Sequence, residues 1–406
     1  MADRIRFAIV DDSLADATVA EVLLQRAGHE VVIFTSPTDA LDAIPKDRPD
    51  CVLLDILMPD MDGFDLCSRL RAMPGLEGMK IVMCTSKSFE FDRVRAAEMG
   101  ADGFIVKPIH RESFLATLDR VLASNIEMTF WGIRGTLPRP GPATVRYGGN
   151  TSCVALEFPR GQIFIFDAGS GIKILGDHLM ARGGRLEGRI FISHPHWDHI
   201  NALPFFTPLY VQGNEFEILG PSHGPTKMRD LVSAQMDGVY FPITMREFGA
   251  KIDFRDLHEG SFEFDEITVD TMLLAHPGNC LGYRVRYEGR SICYITDNEL
   301  FPASAEHYSA EYDQRLLDFV RGTDVLIMDT NYFDEEYVAK VGWGHSSVSQ
   351  VADFAHRSEA QTLYLFHHDH GHDDDAIDRK VDIAREVLQD STTKVVSPTE
   401  GALITV

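Results

Sequence analysis

Ile190-Phe-Ile-Ser-His-Pro-His-Trp-Asp-His-Ile-Asn201 is the stretch on which the reading of this chain turns. Residues 190–192 read as the end of a buried strand, and the polar burst after them, His194, His196, Asp198 and His199, falls where a strand gives way to a loop. In an extended segment His194 and His196 point to the same side, so both imidazoles can grip one ion. Asp198 and His199, past the turn, can reach a second. Burying three imidazoles and a carboxylate together without a metal would leave several polar groups unpaired. The spacing therefore predicts a two-metal site.

Further along, apolar strand-like runs again end abruptly in residues that can bind metal. Leu273-Leu-Ala-His276, Ile292-Cys-Tyr-Ile-Thr-Asp297 and Leu363-Tyr-Leu-Phe-His-His368 are three of them. His276 can complete the first site with His194 and His196, His367 can complete the second with Asp198 and His199, and Asp297 can bridge the two. His368 competes with His367, and strand alternation chooses between them only if the strand stays regular to its end. Asp167 closes the run Ile163-Phe-Ile-Phe-Asp and reads either as an orienter of a ligand or as a cap on the turn that follows. Asp329 closes Asp324-Val-Leu-Ile-Met-Asp and is expected to orient a ligand. His345, on the glycine-flanked stretch Gly342-Trp-Gly-His-Ser-Ser, has no apolar face to bury it and is expected to act on a bound molecule. His370 and His372, in an Asp-rich run, read as solvated loop. Residues 202–250 carry Pro204, Pro208, Pro221, Pro225 and Pro242 among aromatics and read as an irregular insertion over the mouth of the site.

The run from His194 to His199 resembles the His-x-His-x-Asp-His signature of the metallo-β-lactamase superfamily, and the resemblance covers about residues 128–406. It implies an αββα sandwich binding two divalent transition metals, Zn²⁺ or Mn²⁺ with Fe as a further candidate. It favours His367 over His368, because in the family the ligand follows directly on the strand's last apolar residue. The Gly-His-Ser element is similar to that of the branch holding tRNA 3′-processing endonucleases and small phosphodiesterases. By that resemblance His345 contacts the scissile phosphate and protonates the leaving oxygen, while Asp198 shares in catalysis. Di-iron oxygen-reducing relatives carry Glu where this chain has His196, which argues against redox chemistry.

The first part of the chain alternates short apolar runs (7–10, 31–34, 51–54) with amphipathic ones (15–27, 37–44), the pattern of an α/β doubly wound sheet with its site at the carboxyl ends of the strands. Those ends carry Asp11 and Asp12, Asp55, Thr85 and Lys107. Carboxylates converging there would repel one another unless a hard cation such as Mg²⁺ sat among them. The set resembles a two-component receiver domain with a five-stranded parallel sheet over residues 1–124. By that resemblance Asp55 accepts the phosphoryl group, Asp11 and Asp12 help it hold Mg²⁺, Thr85 and Phe104 form the switch pair, and Lys107 binds phosphoryl oxygens. A sensor histidine kinase is then the expected phosphodonor. The same resemblance implies that the peptide bond of Lys107-Pro108 is cis. Only 123–127 connect the two domains, so they are expected to touch.

The chain has 406 residues, enough for two cores, and a formal net charge of −24 spread over both halves. So acidic a surface repels a phosphate backbone and favours a small phosphodiester, such as a cyclic nucleotide, over a nucleic acid. A nuclease akin to the tRNA-processing enzymes, and an output module that binds without turnover, are the competing readings. The six cysteines lie far apart and suggest reduced fillers of apolar space. No apolar run approaches a membrane span and no signal-peptide core opens the chain, so a cytoplasmic protein without membrane contact is expected. Whether the receiver gates the site, drives homodimerisation or docks a kinase is open.

Overall fold

The computed structural model describes residues 4–76, 78–86, 90–122, 125–239 and 241–406. The chain divides into two compact units, Met1–Asn125 with Phe158–Gly161, and Ile126–Glu157 with Gln162–Val406. The expected boundary at residue 124 and the start of the connection, 123 and 124, lie outside the described residues.

In the first unit β1 (Arg6–Val10), α1 (Leu14–Arg26), β2 (Glu30–Phe34), α2 (Pro37–Asp47), β3 (Cys51–Leu54), α3 (Gly63–Arg71), β4 (Lys80–Thr85), α4 (Glu90–Glu98), β5 (Gly103–Val106) and α5 (Arg111–Leu122) alternate. The sheet runs β2-β1-β3-β4-β5 with every pairing parallel. Helix starts follow from side chains that accept a backbone N–H three residues on: Ser13 for α1, Ser36 for α2 and Asp62 for α3. Alternation divides the central strands between two cores. Ala8, Val10, Val52 and Leu54 pack with the helix residues Ile44, Phe64 and Leu66, whereas Phe7, Ile9, Cys51 and Leu53 pack with Leu24, Phe114 and Leu118. Both faces of the sheet are thereby covered, and polar side chains are left to the strand ends.

The second unit opens with β6 (Glu127–Gly132), β7 (Cys153–Glu157), β8 (Ile163–Phe166), α6 (Gly171–Arg182), β9 (Glu187–Phe191), α7 (Trp197–Ile200), β10 (Glu215–Pro221), α8 (Met228–Gln235) and β11 (Lys251–Leu257). It continues with β12 (Gly260–Phe264), β13 (Ile267–Leu273), β14 (Leu281–Tyr287), β15 (Arg290–Ile295), α9 (Ala310–Val320), β16 (Val325–Asp329), α10 (Asp334–Tyr337), α11 (Val348–Arg357), β17 (Thr362–Phe366), α12 (Asp374–Val387), β18 (Lys394–Val396) and β19 (Leu403–Thr405). Two mixed seven-stranded sheets form, β11-β10-β9-β8-β7-β6-β19 and β12-β13-β14-β15-β16-β17-β18.

The strand pattern states which face meets which layer. Ile163, Ile165 and Ile190 pack with Ile172, Leu175 and Leu179 of α6, while Cys293, Ile295, Leu363 and Leu365 pack with α9, α11 and α12. The alternate positions are aromatic and meet between the sheets. Phe164 meets Phe264 edge-on at 5.7 Å, Phe166 lies 5.5 Å from both Tyr283 and Tyr294, and Phe130 lies 5.3 Å from Tyr364. Helices on the outer faces and an aromatic seam within make the α/β sandwich expected from the sequence.

Residues 202–250 differ from expectation. Instead of forming only an irregular cover they contribute β10, which pairs in parallel with both β9 and β11, and their Leu203, Phe206, Leu209, Phe216 and Ile218 are buried in the core under α6. The prolines fall where no ladder hydrogen bond is lost: Pro204 and Pro208 in single 3₁₀ turns, Pro221 at the last residue of β10. No helix among the described residues is long and apolar enough to cross a membrane.

Candidate metal centre and receiver pocket

Strands β8 and β9 run parallel in one sheet and β15, β16 and β17 run parallel in the other, so within each sheet the carboxyl ends share an edge. Each ends in a polar residue of interest, Asp167, His194, Asp297, Asp329 or His367. Three of these, Asp167 (φ 61°), Asp297 (φ 38°) and His367 (φ 56°), adopt the left-handed conformation that costs a non-glycine residue energy. The reversal stops strand alternation at the first residue past β8 and β17 and at the second past β15. It resolves the choice between the paired histidines: His367 enters the cluster, and His368 turns to Ser397 Oγ, 3.2 Å from its Nε2.

Ligand-type atoms gather in three overlapping groups. His194, His196, His276 and Asp297 form one, Asp198, His199 and His367 a second, and Asp297, Asp329, His345 and His367 a third. Asp297 faces both of the first two. Its Oδ2 lies 3.6 Å from His194 Nε2 and 3.7 Å from His276 Nε2, and its Oδ1 lies 3.1 Å from both His199 Nε2 and His367 Nε2. Asp198 Oδ2 is 3.2 Å from His199 Nε2 and 3.1 Å from His367 Nε2. His276 Nε2 and His196 Nδ1 face each other at 3.1 Å.

Partners on the far side of the rings set which nitrogen faces inward. His199 Nδ1 donates to Asp167 Oδ2 at 2.7 Å, and His276 Nδ1 donates to the Gly344 carbonyl at 3.0 Å, so that each Nε2 is directed at the cluster. Of the two sequence readings of Asp167 the geometry fits the orienting one: besides His199 it accepts from the Ser193 backbone and hydroxyl and from Tyr294, so it pins the turn after β9 and not the turn that follows Asp167 itself. The Thr136 backbone N–H donates to Asp198 Oδ2 at 2.7 Å.

The donor set fits a pair of divalent cations. His194 Nε2 and His199 Nε2 are buried yet make no hydrogen bond among the described residues, although His199 Nε2 has carboxylate oxygens close by. Burial pushes the His194 imidazole well below its usual range, whereas at His199 burial is outweighed by the carboxylates of Asp198, Asp297 and Asp167, which raise it well above. At Asp198 and Asp297 burial acts to raise the carboxyl, but the surrounding imidazoles outweigh it and hold both ionised. Carboxylates bind metal ionised and imidazoles bind it neutral, so an ion here would displace a proton from His199.

His345 stands at the rim. Its ring lies 5.3 Å from that of His276 and stacks on that of His367 at 5.1 Å, and its Nδ1 donates to Asp329 Oδ2 at 2.6 Å. The group Asp329 orients is thus His345. Burial alone would lower this imidazole, but Asp329 outweighs it and raises it to about 9. The loop carrying His345 is clamped by Glu299, a buried carboxylate two residues past Asp297. Glu299 accepts from the backbone N–H groups of Gly342 and Gly344 and from the Tyr337 hydroxyl, each at 2.7 Å. Nothing in the local sequence pattern marks Glu299. A Cβ on Gly135 or Gly344 would strike the ring of His367 or His276 respectively. His370 is half-exposed, as a loop residue should be. His372 departs from expectation: it is buried, its Nε2 3.0 Å from Glu336 Oε1, because its loop folds back against α10.

In the first unit Asp11, Asp12 and Asp55 bring three carboxylates together. Lys107 Nζ lies 2.7 Å from Asp11 Oδ2 and 3.5 Å from Asp55 Oδ1, and the Leu57 N–H donates to Asp55 Oδ2 at 3.0 Å. Burial raises the Asp55 carboxyl, with Lys107 opposing. Thr85 is buried, Phe104 is half-buried under the Arg93 guanidinium, and Lys107-Pro108 is cis.

Fold and site define a receiver joined to a metallo-β-lactamase sandwich. The chain belongs to the β-lactamase superfamily: the family model described as "Beta-lactamase superfamily domain" matches residues 165–368, and "Response regulator receiver domain" matches 7–119. Among curated relatives, the DNA-binding response regulator MtrA of Mycobacterium tuberculosis is 37% identical over 122 residues, 30% of this chain and 52% of the relative. The transcriptional regulatory protein AfsQ1 of Streptomyces coelicolor is 33% identical over 114 residues, 28% and 49% respectively. The chain thus spans about half the length of the curated relatives it matches. Among solved structures, the metallo-β-lactamase fold protein YhfI of Bacillus subtilis aligns over 70% of this chain and all of its own, with a TM-score of 0.51 at 18% identity.

Proposed function

We propose that the second unit is a two-metal phosphodiester hydrolase and the first its phosphorylation-responsive receiver. The observation that carries this reading is Asp297, whose two oxygens address the two ligand groups separately, as a bridging carboxylate does. His194, His196 and His276 would hold one divalent ion, Asp198, His199 and His367 the other, and Asp297 both. Zn²⁺ and Mn²⁺ suit these donors, with Fe a further candidate, and such a pair supplies Lewis acidity toward a phosphoryl oxygen and activation of a water.

The remaining steps fall to the chain itself. Asp198, fixed through Oδ2 by the Thr136 N–H, orients the attacking water. His345, held through Nδ1 by Asp329, keeps its proton at Nε2 to hand to the departing alkoxide. The net charge of −24 favours a small ester such as a cyclic nucleotide over RNA. In the receiver, Asp55 takes a phosphoryl group from a histidine kinase, with Mg²⁺ held by Asp11, Asp12 and Asp55, Lys107 on the phosphoryl oxygens, and Thr85 and Phe104 reporting the change.

The test is hydrolysis of bis(p-nitrophenyl) phosphate and a panel of cyclic nucleotides by purified protein with Mn²⁺ or Zn²⁺ supplied. Turnover is expected, and His345→Ala should lower it by about 10²- to 10⁴-fold at unchanged metal content. No turnover on any phosphodiester overturns the reading. Tight RNA binding that weakens steeply with salt would point to a nuclease instead.

A further inference from the structure

Two of the three tryptophans, Trp197 and Trp343, are 82% and 61% exposed, and neither indole makes a ring or cation contact among the described residues. An unpartnered indole on a free surface loop would be unremarked. These are not on free loops. Trp197 lies between His196 and Asp198 in the short helix α7, and its carbonyl accepts the Asn201 N–H at 2.7 Å. Trp343 lies between Gly342 and Gly344, the two residues whose N–H groups Glu299 clamps, and its own N–H donates to the Lys340 carbonyl at 3.1 Å. The backbone at both indoles is fixed.

Both also belong to the same edge of the centre. His196, the one exposed member of the first ligand group, faces His276 at 3.1 Å, and His276 in turn donates to the Gly344 carbonyl at 3.0 Å. One short relay of contacts therefore joins the residue before Trp197 to the residue after Trp343. His196, beside Trp197, and Gly344, beside Trp343, thus both contact His276, and both indoles are exposed. In a chain of net charge −24 this edge offers aromatic faces, to which a planar uncharged ring system is suited and a polyanion is not.

We propose that Trp197 and Trp343 form a stacking platform for a nucleobase, so that the ester cleaved beside them carries a nucleoside. This deepens the phosphodiesterase reading and rests on it for the bond that is cut, but the binding surface can be tested without turnover.

Full-length protein is titrated with adenosine 5′-monophosphate and, separately, with ribose 5-phosphate, following indole fluorescence. Quenching by the nucleotide alone is expected. Trp343→Ala and Trp197→Ala should each weaken nucleotide binding about 5- to 100-fold, the range for loss of one base-stacking partner. In parallel, the KM for adenylyl-3′,5′-adenosine should rise in both variants while that for glycerophosphocholine stays unchanged. Equal quenching by both ligands, or variants that bind the nucleotide as wild type does, would overturn the platform. Quenching that depends on Trp343 in a protein that cleaves no phosphodiester would uphold the platform and remove only the hydrolytic reading.

Discussion

Two glycines decide whether the imidazoles can sit where they do. A Cβ on Gly135 would lie 2.3 Å from His367 Cε1, and one on Gly344, whose φ is +85°, would lie 2.4 Å from His276 Nδ1. Each clash bears on a different ligand group. Gly135→Ala and Gly344→Ala are therefore each expected to fold yet bind close to one metal ion per chain, where wild type binds two, as read by elemental analysis of dialysed protein. Lys380 shows a different constraint. It is buried, its Nζ donates to the carbonyls of Thr330 and Asn331 at 2.6 and 2.7 Å, and burial pulls its ammonium down to about 7. Between that value and its unfolded value of about 10.4 the unfolded chain binds a proton that the folded chain does not. Stability should therefore rise with pH across this window, and the cost of burying the charge is fully present only below about 7. In Lys380→Met this rise in Tm between pH 7 and 10 should be reduced relative to wild type.

The elements that matter most are those whose residues face two ways. Along β8 and β9, isoleucines meet the helices and phenylalanines meet the opposite sheet, with Phe166 stacked on Phe191 at 5.2 Å and Phe191 edge-on to Phe264. Phe191→Ala would open a cavity in the middle of that seam, and a loss of about 3–5 kcal/mol in denaturant unfolding is expected. The loop of residues 342–345 depends on one side chain rather than on a seam. Gln in place of Glu299 keeps one carbonyl acceptor where two carboxylate oxygens now serve three donors. Glu299→Gln is expected to lower kcat about 10-fold, equivalent to about 1.4 kcal/mol, with both metals retained. An unchanged kcat would show that the clamp is not needed to place His345.

At the scale of the whole molecule, the two compact units carry chemically distinct sites, so ligands should stabilise them separately. A ligand present at 100 times its Kd adds about 2.7 kcal/mol to the unit that binds it. Calorimetry is expected to resolve two transitions. A chelator should lower that of the second unit, while Mg²⁺ with beryllofluoride should raise that of the first, and only where Asp55 is intact. If beryllofluoride also alters phosphodiester turnover in wild type but not in Asp55→Asn, the receiver gates the site. Equal rates would leave it the roles of docking or dimerisation.

By itself the sequence determined what is local: the strand-helix alternation of the first unit, the capping serines, the isoleucine and phenylalanine faces of the second, and the ligand types packed between His194 and His199. These depend on spacing along the chain, and the periods of strand and helix convert spacing directly into direction. Proline content misled over residues 202–250, because a proline is harmless at a strand's last residue or in a single turn and its composition alone does not say where it falls. Only the tertiary structure decided that Asp297 would face both ligand groups, that His367 rather than His368 would turn inward, and that Glu299 would hold the loop of His345. Each of these joins residues tens to more than a hundred positions apart, and the first two depend on left-handed turns at Asp297 and His367 that the surrounding fold imposes against local preference.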